Sequence, residues 1–380
     1  MKKGSIKDLC DVIAGQSPKG SAYNKDQKGI EFHQGKIAFG DLFIQPSGVW
    51  TTEITKLAQP NDILMSVRAP VGPTNLTNRQ ICIGRGLAAI RCKDGVMPRY
   101  ILYALKRIEK QIVGNDGAVF NSINKKQIEE LPVLIADIAE QEQIVTLLDD
   151  QFAKIDALKA NAASQLQAAK DLFQSALKEM LTPKEGWERK TLEEISTDMY
   201  RGSGITRDQI TEDGISCVRY GEIYTTYNYW FDSCKSHTIE SKIKSPKYFE
   251  KGDILFTITG ESVEDIAKSV AYLGSEKCLA GGDIVVMKHN QNAKYLSYAL
   301  STPDAIKQKG FGKTKLKVVH SNVPSIKSIV IPIPSLPEQE RIAARLDAIS
   351  EKVKALQTNY DQTINLCNDL KQSLLKSIFA

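Results

Sequence analysis

The sequence predicts an α+β protein. Two mixed α/β globular domains are each followed by one long helix, and the helices pack as an antiparallel coiled coil within a pseudo-two-fold internal repeat. Three observations carry this. The stretch from Asp137 to Thr182 returns, without a gap at an offset of 198, in the last residues of the chain. Glu140-Gln141-Glu142 falls on Glu338-Gln339-Glu340, Leu148 on Leu346, Asp149 on Asp347 and Leu172 on Leu370. A repeat of that length fixes the architecture before any single element is judged. Neither copy has an internal Gly or Pro, and strong helix formers dominate both. The segments ahead of them share a weaker series of glycine-bounded strands in the same order. The division is therefore 1–136, 137–182, 183–336 and 337–380: domain, helix, domain, helix.

In the first domain, residues 15–20 (Gly-Gln-Ser-Pro-Lys-Gly) form a turn cluster. Residues 29–37 read as a short strand running into a glycine turn. Residues 62–68 are a buried strand with polar residues at its exit. Residues 81–92 are another strand, interrupted by Gly84-Arg85-Gly86. A helix is expected from Pro98 to Gln111, ending near Gly114, then a short helix or turn over 123–131. A Pro-bounded strand, Leu131 to Ala136, feeds the long helix. In the second domain, residues 215–223 answer 29–37, residues 252–260 answer 61–69, and residues 280–286 answer the Gly84-Arg85-Gly86 strand. Residues 295–300 and 329–334 answer 100–105 and 131–136.

Apolar residues in the long helices recur at spacings of four and three, the signature of a seam that needs a partner helix. The predicted seam is Ile144, Leu148, Gln151, Ile155, Leu158, Ala162, Gln165, Ala169, Leu172, Ala176 in the first copy. In the second it is Ile342, Leu346, Ile349, Val353, Leu356, Tyr360, Thr363, Cys367, Leu370, Leu374. Antiparallel pairing would place the domains at opposite ends of the pair; topology alone does not forbid parallel pairing. The alternative is that each helix packs only on its own domain.

Composition narrows the function. The seven cysteines are scattered, with no CxxC pair, and the four histidines are dispersed. That argues against a zinc site or disulfide framework and fits a reducing cytoplasm. There is no run of 18 apolar residues to span a membrane, and the basic N-terminus lacks the apolar stretch of a signal peptide. Net charge is +5, but residues 1–136 carry 19 basic against 12 acidic residues, and 183–336 carry 21 against 19. The basic excess sits in the globular segments, which suits a polyanion. No adenine-methylation motif, methyl-donor glycine loop, phosphate loop or nuclease-type cluster is present, so no catalytic residue, metal ligand or cofactor is assigned.

Residues 334–342 (Pro-Ser-Leu-Pro-Glu-Gln-Glu-Arg-Ile), their degraded twin at 135–144, and the phrases at 67–75, 83–90 and 15–20 resemble the specificity subunits of type I restriction–modification systems. The doubled junction and helix carry this resemblance over nearly the whole chain. It implies two target-recognition domains that bind an asymmetric, split site in double-stranded DNA, one half each. It also implies a non-catalytic role, with two methyltransferase subunits recruited through the helices and restriction/translocase subunits in the full complex. Thr259-Gly260-Glu261 stands where the first domain has Arg68-Ala69-Pro70, so the halves should read different sequences.

Base edges specify while phosphates position. The DNA-contacting candidates in the first domain are Gln34, Lys36, Arg68 and Arg85, each beside a Gly or Pro turn at a strand end. In the second they are Arg219, Tyr220, Tyr224, Lys313, Lys315, Lys317, His320 and Asn322. Each has a plainer alternative. The alternating lysines fit a solvated sheet edge, the aromatics of 224–231 fit a core, and Arg68 and Arg85 fit structural ion pairs. Asp62 and Asp253 read as turn formers. Glu140, Glu142, Glu338 and Glu340 either meet partner subunits or serve the helix dipole. The rival readings of the whole chain are a methyltransferase or nuclease, and a coiled-coil scaffold with protein-binding globular ends.

Overall fold

The computed structural model describes residues 2–112, 122–260, 262, 266–310 and 319–379. Lys313, Lys315, Lys317, Glu261 and Gly114 lie outside the described residues. The chain divides into two compact units, Met1–Ala163 with Tyr360–Ala380, and Ser164–Asn359. The long helices run over Ile138–Leu181 and Leu336–Ile378, so each contributes one part to each unit. At 44 and 43 residues they are each roughly 65 Å long.

In the first unit a four-stranded sheet has the order Cys10–Ala14, Leu87–Cys92, Ile63–Ser66, Thr74–Leu76. All its pairings are antiparallel. Ile63–Ser66 is buried at every residue, as expected of a central strand covered on both faces. A second sheet of five short strands pairs Ile30–His33 in parallel with Ile81–Ile83, matching Phe32 to Cys82 and His33 to Ile83. The helix Pro98–Ile112 buries Ile101, Leu105, Ile108 and Ile112, one stripe at helical spacing. Its core extends to Val145 and Leu148 of the first long helix, to Leu375 of the second and to Phe379 just past its end. The Phe379 ring lies 5.3 Å from that of Tyr100.

The second unit repeats the plan. One five-stranded sheet has the order Ser196–Arg201, Ile284–His289, Ile254–Thr257, Ser269–Tyr272, Trp230–Phe231. In another, Ile215–Val218 runs parallel to Cys278–Ala280, as Ile30–His33 does to Ile81–Ile83. The entry strands match too: Lys2–Ser5 pairs with Pro132–Ile135, and Glu188–Thr191 with Val330–Ile333. The units differ after the parallel strand. The first has a single turn at Lys36–Ala38, and the second a short helix, Tyr220–Thr225.

Polar contacts maintain the repeat. Gln141 is buried at the start of the first long helix. Its amide donates to the carbonyl of Ala136 (2.9 Å) and accepts the Met97 N–H (2.8 Å). Gln339 does the same to the Pro334 carbonyl (2.9 Å) and the Asn292 N–H (3.0 Å), and it is fully buried. The glutamine of the repeated Glu-Gln-Glu phrase thus ties the junction strand, the long helix and the domain helix together. Two turns further, Asp149 accepts from Tyr103 and pairs with Arg99 at 2.7 Å, while Asp347 accepts from Tyr298 at 2.7 Å and pairs with Lys294. Tyr100 and Tyr295 donate to the junction-strand carbonyls of Leu134 and Pro332.

Within the first unit Lys371 pairs with Asp156 (2.6 Å), and Lys159 donates to Asn368 (2.7 Å). Numbers rise on one helix as they fall on the other, so the pair is antiparallel. In the first helix the seam lies one residue from part of its predicted position. Val145, Leu166 and Phe173 are buried, whereas Leu158 and Leu172 are 57% and 64% exposed. Two stripes one residue apart satisfy the same four-and-three spacing, and Phe152 and Phe173 of the second stripe pack on the globular domains, 5.3 Å from the Tyr103 ring and 5.6 Å from the Tyr229 ring. In the second helix Leu370 likewise turns outward and Lys371 takes the seam, its ammonium 4.9 Å from the centre of the Phe152 ring.

Candidate nucleic-acid interface

In the first unit three loops converge where the parallel strand pair ends. Gly15 and Gln16 donate to the carbonyls of Leu87 and Ile83. Gly86 donates to the Gln34 carbonyl (3.1 Å), and Val67 donates to the Gly86 carbonyl (3.0 Å). Ser17 links the loops, donating to the Gln34 side-chain oxygen (2.8 Å) and accepting the Arg85 N–H (3.1 Å). Backbones this close leave no room for side chains: a Cβ on Gly86 would lie 2.3 Å from the Gln34 carbonyl oxygen. Gln34, Arg68 and Arg85, far apart in sequence, therefore stand on adjoining turns. All three are exposed, and Lys36 is half-buried on the next turn. Among the described residues Lys36, Arg68 and Arg85 have no ion-pair partner.

The base of this site is rigid. Glu31, buried on the strand leading to Gln34, pairs with Arg79 (2.7 Å) and accepts the Ser47 N–H (2.6 Å). Burial works to raise the Glu31 carboxyl, but the hydrogen bonds from Arg79 and Ser47, with the neighbouring His33 and Arg79 charges, hold it below the usual range. Burial pushes the adjoining His33 imidazole down despite Glu31 at 3.1 Å.

The second unit builds an equivalent junction from different side chains. Ser203 donates its N–H to Ala280, and Gly281 donates to Val218 (2.8 Å each). A Cβ on Gly202 would lie 2.3 Å from the Gly281 carbonyl oxygen. Arg219 and Tyr220 follow directly; Tyr220 is 40% exposed, and its ring stands edge-on to Tyr224 at 6.4 Å. Tyr224 is turned inward, its hydroxyl 2.7 Å from that of Thr257 and donating to the Thr259 carbonyl. His320 is exposed and pairs in register with Thr259. Asn322 caps the helix Val323–Lys327 by accepting the Ser325 N–H (2.9 Å), as Asn124 caps Lys125–Glu129. In the 224–231 stretch, Tyr227 and Phe231 stack at 4.1 Å inside the core. Asp62 and Asp253 each accept an N–H from three residues upstream and pair with Arg91 and Lys288.

Reasoning from sequence passed over Ser17, Ser203 and the Glu31–Arg79 pair. A Ser one or two residues after the Gly that follows each domain's second strand was the available signal. Among the described residues no His, Cys, Asp or Glu cluster is arranged for a metal ion, and no helix is long and apolar enough to cross a membrane.

The model of the type I restriction modification DNA specificity domain matches this chain twice, over residues 1–168 and 184–366. The chain belongs to this family of type I specificity subunits. A putative specificity subunit of the type I enzyme MjaX from Methanocaldococcus jannaschii is 37% identical over 169 residues, covering 44% of this chain and 39% of that protein. The specificity subunit of the Escherichia coli enzyme EcoBI is 21% identical over 99% of this chain and 84% of its own length. In fold, the chain is similar to a chain of a solved type I restriction–modification assembly, with a TM-score of 0.76, 15% identity and coverage of 100% and 97%. The HsdS subunit of Thermoanaerobacter tengcongensis gives a TM-score of 0.55 at 16% identity, with coverage of 100% and 96%. Each specificity-domain match takes in one loop junction and most of the long helix that follows it.

Proposed function

We propose that this chain is the DNA-reading, non-catalytic subunit of a type I restriction–modification complex. Each domain, 1–136 and 183–336, reads one half of an asymmetric, bipartite target in double-stranded DNA. The observation that carries this is the doubled loop junction, whose side chains are free to differ because glycine contacts hold the backbone. Guanidinium and amide groups suit guanine and adenine edges in the major groove. In the first domain Gln34, Arg68 and Arg85 are the base-edge candidates and Lys36 a phosphate contact. In the second, Arg219, Tyr220 and His320 lie at the junction, with Lys313, Lys315 and Lys317 as phosphate contacts. Tyr224 and Asn322 act behind them, supporting the loops through the bonds their side chains already make. The outward helix faces recruit two methyltransferase subunits, and restriction/translocase subunits join the full complex. Flipping of the target adenine belongs to the methyltransferase.

The test is adenine methylation across the host genome, with and without this gene. Loss of one split, asymmetric motif on deletion is expected. Exchange of residues 183–336 for those of a relative should then change one half of the motif and leave the other. A DNA affinity that is flat in salt and indifferent to sequence would refute the proposal.

A further inference from the structure

We infer that Ile37 reads a thymine methyl group in the half-site bound by the first domain. This deepens the DNA-reading proposal and rests on it. A single exposed apolar side chain is ordinary on a protein surface, but three facts set Ile37 apart. It is 101% exposed, against 56% for Ile54 and 36% for Tyr23, the other large apolar residues exposed among the described residues of 1–136. It sits between Lys36 and the glycine at 40, three residues from Gln34, on the same junction that presents Arg68 and Arg85.

The turn that carries it is also fixed from below. Phe39 donates its N–H to the Lys36 carbonyl (2.9 Å), and Gln45 donates to the Ala38 carbonyl (2.7 Å). Ala38 and Phe39 pack against the core formed by Ile44, Leu64, Ile83 and Leu87. The fold therefore holds a short apolar tip in water among polar and cationic neighbours, with little freedom left to lose on contact. On a major-groove edge the apolar feature is the C5-methyl of thymine. An isoleucine beside guanidinium and amide groups supplies the one base contact that those groups cannot.

The experiment uses the full-length chain, co-purified with its methyltransferase where one is encoded beside it. Duplexes carrying the methylated motif are made with each thymine of the first half-site replaced in turn by uracil, which differs only in lacking the methyl. One replacement should weaken binding by the wild-type chain about fourfold or more, the worth of one methyl group removed from water. The same replacement should leave binding by Ile37→Ala unchanged. Ile37→Val, which keeps two methyl groups, should restore sensitivity to that one position. If every uracil duplex affects wild type and Ile37→Ala alike while the split motif is still recognised, the inference fails and DNA reading stands. If no motif is recognised at all, both fall together.

Discussion

Replacing Gln339 by Leu should unfold the second unit at a markedly lower temperature while leaving the first unit's transition in place. The two residues are similar in volume, so little cavity is created. What is lost is the acceptor for the Asn292 N–H, held at 3.0 Å, and the donor to the Pro334 carbonyl, held at 2.9 Å. Gln339 is 0% exposed, so water does not replace it without local opening. Each orphaned backbone group costs about 1–3 kcal/mol. With some relaxation, a loss of about 3 kcal/mol is expected. For a unit of this size that corresponds to a fall of roughly 6–12 °C in Tm. Scanning calorimetry of the full chain reads it directly. Gln141→Leu should lower the first unit's transition by a similar amount, since its amide makes the matching bonds. Because the two glutamines share no partner, the effects should add in the double variant. Glu142→Gln, at an exposed position, should stay within about 0.5 kcal/mol of wild type. A fall of less than about 2 °C for Gln339→Leu would show that the repeated phrase is kept for another reason.

Three further outcomes follow from the geometry. Burial pushes the His289 imidazole down to about 4, so the folded state holds it neutral. Its contribution is complete above the unfolded pKa near 6.5 and is lost as pH falls toward 4; denaturant melts should lose about 2 kcal/mol from this group by pH 5, and His289→Gln should flatten that segment of the pH profile. Replacing Lys313, Lys315 and Lys317 together by Ala should reduce the slope of log affinity against log salt by about 3 if all three meet phosphates, measured by fluorescence anisotropy; an unchanged slope would place the run away from DNA. Gly86→Ala should push the Gln34 turn aside, because its Cβ would lie 2.3 Å from the Gln34 carbonyl oxygen, costing about tenfold or more in specific binding with unchanged helix content by circular dichroism.

Much of the architecture was legible because it is written twice. The 198-residue offset exposed both long helices, and the Pro-bounded junction strands fell where they were expected, at Pro132–Ile135 and Val330–Ile333. The seam was less legible. A four-and-three spacing is satisfied by Leu158 and Leu172 as well as by Leu166 and Phe173, and only the partner surface distinguishes them. The Glu-Gln-Glu phrase drew attention to its charges, yet its central glutamine is the buried member, since charge is visible in a sequence and amide geometry is not. The loop junction was half-legible. Glycines marked the turns around Gln34 and Arg85, but nothing in the sequence shows that Ser17 bridges them. Asn322 read as a DNA-contacting candidate beside a basic run; the same residue type at 124 in the repeat was the clue to its capping role.

The presence of Leu375 and Phe379 in the first unit's core has a consequence for biosynthesis. Tyr100 and the helix that carries it leave the ribosome long before the residues that cover them. Residues 164–359 separate the first unit's leading segment from its closing piece, a wait of roughly 10–40 s at common elongation rates. During that interval the core around Tyr100 lacks the cover of Leu375 and Phe379. A chain cut short ahead of Leu375 would then be felt first in the core around Tyr100, a region made long before the cut.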